Sequence, residues 1–121
     1  MINLRIPGPT PLPPDVLAAV SKQMINHRGA DFARLFGEVS EWLKVFFETN
    51  QEVLILTSSG TGAMEASISN TLSPGDRVLA VSCGSFGDRY EEIARAYRAD
   101  VVSLRFENGR TVQPEVVHRA V

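Results

Sequence analysis

Hydroxyl residues and glycines cluster in one short stretch, Ser58-Ser59-Gly60-Thr61-Gly62, whose composition suits the binding of an anion. Glycines allow the backbone to approach a ligand closely, and the side chains of Ser59 and Thr61 add hydroxyl donors. The stretch lies between an apolar run and a helix-like segment, so the free amides that begin the helix would also face the ligand. This loop is therefore predicted to bind a phosphate.

Two other kinds of phosphate-binding loop require residues that this sequence lacks. A Walker loop requires a lysine just before the helix, but no lysine follows Lys44 anywhere in the chain. A dinucleotide fingerprint requires a third glycine, and Glu65 stands at that position. The acidic residue that would hold a ribose is also missing, because Ser82 ends the next apolar run. The Walker loop is excluded, and a dinucleotide site remains an alternative.

Short apolar runs alternate with helix-like segments around this loop. Runs at residues 53–57, 77–82 and 101–106 have the length and composition of buried strands, and helices are predicted at 63–72 and 88–98. A strand–helix–strand alternation of this kind is typical of a parallel sheet with βαβ crossovers. The sequence therefore predicts an α/β fold in which the loop lies at the carboxyl end of a strand, where ligands bind.

The first part of the chain has a different organisation. Five of the seven prolines lie within residues 7–14, which predicts an extended N-terminal arm over residues 1–14. Pro14 and Asp15 suit the first turn of a helix, and apolar residues three and four apart predict a long amphipathic helix over 31–48. We divide the chain into this arm, N-terminal helices at 15–50 and the start of an α/β domain at 51–121.

Composition excludes several classes of partner. The formal net charge is −2, and 12 basic residues are scattered among 14 acidic ones, so neither nucleic acid nor an anionic membrane is an expected partner. No apolar stretch approaches the roughly 20 residues that span a bilayer, and the start lacks a signal-peptide pattern, which predicts a cytoplasmic protein. Cys83 is the only cysteine, so neither an internal disulfide nor a multi-cysteine metal site is expected.

Several strings, taken in order along the chain, resemble the landmarks of one enzyme family. They are Pro7–Pro14, Asn26–Arg28, Ser59–Ala66, Leu72–Asp76 and Gly84–Arg89. Together they resemble the class V pyridoxal-phosphate-dependent aminotransferases, particularly the alanine–glyoxylate and serine–pyruvate aminotransferases. The resemblance implies the N-terminal portion of a fold-type I large domain, a parallel-rich sheet, and pyridoxal 5'-phosphate as the cofactor.

The resemblance also implies roles for individual residues. Ser59, Gly60 and Thr61 would bind the cofactor phosphate, mostly through backbone amides at the start of the helix. Phe86, placed by the sequence in a second glycine-bearing loop, would stack on the pyridine ring. Gly8 of the proline-rich arm would line the substrate side. No metal site is implied.

An amino-group transfer is the activity that the resemblance implies. The donor would be a small amino acid such as alanine or serine, the acceptor a 2-oxo acid such as glyoxylate, and the enzyme a homodimer. The family's Schiff-base lysine, pyridine-nitrogen acid and carboxylate-binding arginine occur later in the chain; neither Lys22 nor Lys44 matches that lysine. No catalytic residue is therefore assigned, and the helical pattern that continues to Val121 predicts a truncated chain. Alternatives are a cysteine desulfurase or another lyase of the same fold, and a non-catalytic phosphate-binding α/β module.

Overall fold

The computed structural model describes residues 4–121, and the chain divides into two compact units, Met1–Leu54 and Ile55–Val121. The first unit contains helix α1 (Pro14–Val20) and helix α2 (Ala30–Phe46). Proline stands at the start of α1, where its missing N–H has no helical acceptor to lose. No helix within residues 4–121 is both long and apolar enough to cross a membrane.

The second unit is an α/β arrangement. Its elements are α3 (Gly60–Thr71), β1 (Arg77–Ser82), α4 (Ser85–Ala96), β2 (Asp100–Arg105) and α5 (Pro114–Ala120). β1 and β2 pair in parallel, with Arg77 opposite Asp100 and Ser82 opposite Arg105. Helix α4 connects the two strands and packs on both, and α3 packs on α4. The predicted parallel βαβ unit is confirmed for this part of the chain.

The prediction of a first strand at residues 53–57 is wrong. The backbone there has no strand assignment, and Leu54, Ile55 and Leu56 are 78%, 45% and 50% exposed. A strand is stabilised by hydrogen bonds to a neighbouring strand, and in the described residues the sheet consists only of β1 and β2. An apolar run indicates that a segment suits a sheet, but it does not provide the neighbour with which the segment must pair.

Both helices next to the glycine loops begin three residues earlier than predicted. α3 starts at Gly60 instead of residue 63, and α4 starts at Ser85 instead of residue 88. A glycine in a helix costs only about 0.5–1 kcal/mol relative to alanine, so the glycines of these loops do not prevent a helical first turn. Phe86 therefore lies in the first turn of α4, and its predicted location in a loop is corrected.

The most buried carboxylate of the second unit, Glu91 on α4, is 5% exposed and holds α4 against β2. It accepts hydrogen bonds from Ser103 at 2.7 Å, Arg95 at 2.9 Å and Arg105 at 3.1 Å. The hydrogen bond from Ser103, followed by that from Arg95, lowers the pKa of Glu91 from its ordinary 4.5 to about 2. The buried charge is thereby fully partnered.

This lowered pKa predicts a loss of stability in acid. Between about 4.5 and about 2 the unfolded chain binds a proton at Glu91 that the folded chain does not, so the free energy of unfolding falls as the pH falls through that range. We expect Glu91→Gln to remove this part of the pH dependence. Denaturant unfolding at a series of pH values between about 4.5 and about 2 measures it. Glu92→Gln, at an exposed neighbouring position, is the control and should leave the acid dependence unchanged. Equal pH profiles for the two variants would contradict the assignment.

Gly87 lies where α4 approaches β1 too closely for any side chain. A Cβ at this position would lie 2.6 Å from Ser82 Oγ and 2.8 Å from Ser82 Cα. The second contact is with backbone that is fixed by pairing to β2. We expect Gly87→Ala to lower the free energy of unfolding by about 1–3 kcal/mol, as overpacking does.

Thermal and denaturant unfolding measure this effect, and Gly84→Ala provides a matched control three residues away. A Cβ on Gly84 would meet no atom within 4 Å, and its backbone is extended at φ 167°. The control should therefore stay within about 0.5 kcal/mol of the parent protein. If both alanine variants lower the free energy of unfolding by the same amount, the close approach of α4 to β1 at Gly87 is not the cause of the loss.

Candidate functional site

The start of α3 presents unused hydrogen-bond donors. Ser59 is the N-cap, with an extended backbone at φ −77° and ψ 165°, and its hydroxyl accepts a 3.4 Å bond from the Gly62 amide. The Ala63 amide donates to the Ser59 carbonyl at 3.3 Å. Across residues 4–121, neither the Gly60 amide nor the Thr61 amide has a hydrogen-bond acceptor within the protein. These two N–H groups, at the positive end of the helix dipole, are suited to bind an anion.

Phe86 lies half-exposed at the start of α4, where its ring is available to a ligand. It is 56% exposed, unlike a core phenylalanine. With Met64 of α3 and Tyr90 of α4 it lines an apolar groove of about 530 Å³, which runs along residues 78–81 of β1. The ring-stacking role of Phe86 stays a prediction.

Arg89, which the sequence reasoning missed as a site residue, connects the two predicted parts of the site. Its Nη1 donates a 3.1 Å hydrogen bond to Thr61 Oγ1, and its Cζ lies 5.9 Å from the centroid of the Phe86 ring. The signal that could have found it is its spacing, because residues three apart on a helix share a face. The structure thus brings Thr61 and Phe86 to the same cation, although they are 25 residues apart in the sequence.

Two further polar contacts hold α3 beside α4. The hydroxyls of Ser67 and Tyr90 are hydrogen-bonded to each other, and Tyr97 donates to Glu65 Oε1 at 2.9 Å. The bond to Glu65 raises the pKa of Tyr97, because ionisation would remove the bonding proton and place two negative charges together. These contacts lie along α3 beyond Thr61 and fix how its first turn faces α4.

Proteins with known names are similar to this chain in sequence. No family model matches the chain. The 42 kDa subunit of a soluble hydrogenase from Anabaena cylindrica is 45% identical over 114 residues, covering 94% of this chain and 30% of that protein. A serine–glyoxylate aminotransferase from Methylorubrum extorquens is 37% identical over 120 residues, covering 98% of this chain and 30% of that protein. The chain thus spans about 30% of the length of these curated relatives.

A solved structure similar to this chain is also an aminotransferase. The aspartate aminotransferase of subgroup IV from Thermus thermophilus is 40% identical, with a TM-score of 0.85 over 92% of this chain and 32% of that protein. The chain is homologous to aminotransferases over most of its length. The predicted resemblance and the predicted aminotransferase α/β fold are both confirmed.

Both lysines of this aminotransferase homologue lie in the first unit. Lys44, in the last turn of α2, forms an ion pair with Glu41 at 2.7 Å, and this hydrogen bond raises the pKa of Lys44. Lys22 lies just beyond the end of α1. That the catalytic lysine lies outside this chain stays a prediction.

Gly8, the predicted substrate-side residue, also belongs to the first unit, whereas the loop and Phe86 belong to the second. It is exposed, and a Cβ built on it would meet no atom within 4 Å. The space around Gly8 is compatible with a residue that makes room for a ligand. The role of Gly8 stays a prediction.

Proposed function

We propose that the protein is a pyridoxal-phosphate-dependent aminotransferase to which this chain contributes the phosphate-binding turn and the ring-stacking residue. The observation that carries the proposal is the pair of amides on Gly60 and Thr61, which lack an acceptor among residues 4–121 and lie in the same neighbourhood as Phe86. Homology to aminotransferases supports the reaction class, and the geometry supports the part that these residues play.

The residues present fit the cofactor. Its phosphate would accept hydrogen bonds from the Gly60 and Thr61 amides, with the Ser59 and Thr61 hydroxyls beside them. A negative charge at the start of a 12-residue helix is favoured by the helix dipole. Phe86, which is 56% exposed, would stack on the pyridine ring. Pyridoxal phosphate, when bound, supplies a ring that stabilises negative charge at the α-carbon of an amino acid.

For the substrates, we propose a small amino acid such as alanine or serine as donor and a 2-oxo acid such as glyoxylate as acceptor. The name of the Methylorubrum extorquens relative, a serine–glyoxylate aminotransferase, supports this choice. An alanine–glyoxylate aminotransferase from Nostoc sp., 30% identical with a TM-score of 0.83, supports it from structure. Gly8 would leave space for the donor.

We further propose that the cofactor lysine, the acid facing the pyridine nitrogen and the carboxylate-binding arginine come from sequence outside these 121 residues. The relatives, of which this chain spans about 30%, are long enough to hold them. A cytoplasmic homodimer is part of the same proposal. Sedimentation of the full-length protein as a cofactor-bound monomer would refute the dimer.

The experiment that tests the proposed function is a pyridoxal-phosphate titration of the full-length protein, followed by amino-transfer assays with alanine or serine and glyoxylate. We expect a visible absorbance band that saturates with cofactor, and formation of glycine. Sulfur release from cysteine without amino transfer would instead indicate a desulfurase. Failure to bind the cofactor would favour a non-catalytic module.

The name of the Anabaena cylindrica relative supports a second candidate, a hydrogenase subunit. Hydrogen-dependent reduction of a viologen dye distinguishes the two activities. Dye reduction with no amino transfer would refute the aminotransferase proposal and indicate a hydrogenase subunit.

A further inference from the structure

Arg89 differs from the other arginine of α4 in having no carboxylate partner. Arg95 pairs with Glu91 at 2.9 Å, whereas no Asp or Glu within residues 4–121 forms an ion pair with Arg89. Instead its Nη1 donates to the hydroxyl of Thr61, 28 residues away in the sequence, at 3.1 Å. The cation is thus directed at the predicted phosphate turn and its charge is not neutralised by a carboxylate of the described chain.

The contact between Arg89 and Thr61 determines how the hydroxyl of Thr61 can bond. An oxygen that accepts a hydrogen bond from a cation directs its own proton elsewhere, and the bond it donates is strengthened. Thr61 is consequently set as a donor, on the same residue whose amide also lacks an acceptor.

The ring of Phe86 helps to hold the guanidinium in place. Its centroid lies 5.9 Å from Cζ of Arg89, within the range of a cation–π contact. Phe86 and Arg89 lie three residues apart on α4, so a single helix turn presents both. The ring therefore limits the rotamers in which Arg89 reaches Thr61.

We propose that Arg89 is a positioning residue that sets the Thr61 hydroxyl as a hydrogen-bond donor to the cofactor phosphate. The inference rests on the proposed function and adds Arg89, which acts on the cofactor through Thr61. It requires no direct contact between Arg89 and the cofactor. Its consequence is specific to the phosphate: loss of Arg89 weakens binding of the phosphorylated cofactor and leaves the unphosphorylated one unaffected.

The test uses the full-length protein and its Arg89→Met, Thr61→Val and double variants, with dissociation constants measured for pyridoxal phosphate and for pyridoxal. We expect Arg89→Met to weaken pyridoxal-phosphate binding about tenfold, the size of one charge-assisted hydrogen bond, and to change pyridoxal binding less than about twofold. In the Thr61→Val background the same substitution should have less than about a twofold effect, because the residue through which it acts is gone. Arg77→Met, an exposed arginine at the start of β1, is the control and should change neither constant.

Each of the other outcomes has a definite meaning. Equal weakening of pyridoxal and pyridoxal phosphate would show a general structural role and overturn the inference. An undiminished effect in the Thr61→Val background would show that Arg89 does not act through Thr61, which also overturns it. If Thr61→Val weakens cofactor binding and Arg89→Met does not, this inference alone fails. If the parent protein binds no pyridoxal phosphate, the proposed function itself fails.

Discussion

Replacing Gly60 with aspartate is expected to weaken pyridoxal-phosphate binding by the full-length protein about 100-fold, or about 2.7 kcal/mol. The carboxylate would stand at the first residue of α3, beside the amides that we assign to the phosphate, and would repel its negative charge. The same carboxylate interacts favourably with the helix dipole, by about 0.3–1 kcal/mol, so the cofactor-free protein should be no less stable than before. Cofactor affinity and stability are thus expected to change in opposite directions.

Gly60→Asn is the matched control for this substitution, since it has nearly the shape of aspartate without the charge. A Cβ at Gly60 would meet no atom within 4 Å, so neither side chain disturbs the packing. We expect the asparagine variant to lose much less affinity than the aspartate variant. If both lose the same affinity, bulk and not charge is responsible. If neither loses affinity, the phosphate does not bind at the start of α3.

Phe86→Ala is expected to weaken cofactor binding by about 10- to 100-fold, the usual effect of removing an aromatic side chain from beneath a flat ring. Because Phe86 is 56% exposed, the free energy of unfolding should fall by less than about 1 kcal/mol. Phe86→Trp keeps a flat apolar face and should retain most of the affinity. Fluorescence titration with pyridoxal phosphate and with pyridoxal measures the affinities of both variants. The affinity for each ligand should change because each contains the ring.

Phe47→Ala is the matched control for Phe86→Ala. Phe47 is 58% exposed, almost the same as Phe86, and lies next to Phe46 in the first unit. The two substitutions remove equal side chains at equal exposure, and only the one at Phe86 should change the affinity for the cofactor. Loss of affinity from both, or from neither, would contradict the stacking role.

Local pattern was sufficient to predict the elements whose partners lie nearby. β1 and β2 were predicted within one residue because they are apolar runs joined by one crossover helix and pair with each other. α2 was predicted because its apolar residues recur at helical spacing over 17 residues. Residues 53–57 carry the same kind of apolar run, but within the described residues no strand pairs with them. The failure shows that strand formation depends on a neighbour that local composition does not reveal.

The residues of the candidate site were proposed from the sequence, but the contact that joins them was not. The glycine–hydroxyl pattern indicated the turn at Ser59–Thr61, and the family resemblance supplied Phe86. The start of α4 was predicted three residues too late, because residues 83–87 were predicted to form a glycine-bearing loop. The contact of Arg89 with Thr61 joins two helices across 28 residues, so no local pattern contains it. Only the packing of α3 on α4 brings this cation to the turn.

A crystal structure of the full-length protein with pyridoxal phosphate tests the central claim most directly. We predict phosphate oxygens within about 2.7–3.2 Å of the Gly60 and Thr61 amide nitrogens, with the Phe86 ring stacked on the pyridine ring. A phosphate bound away from the start of α3, with the Gly60 and Thr61 amides facing solvent in the complex, would contradict the account.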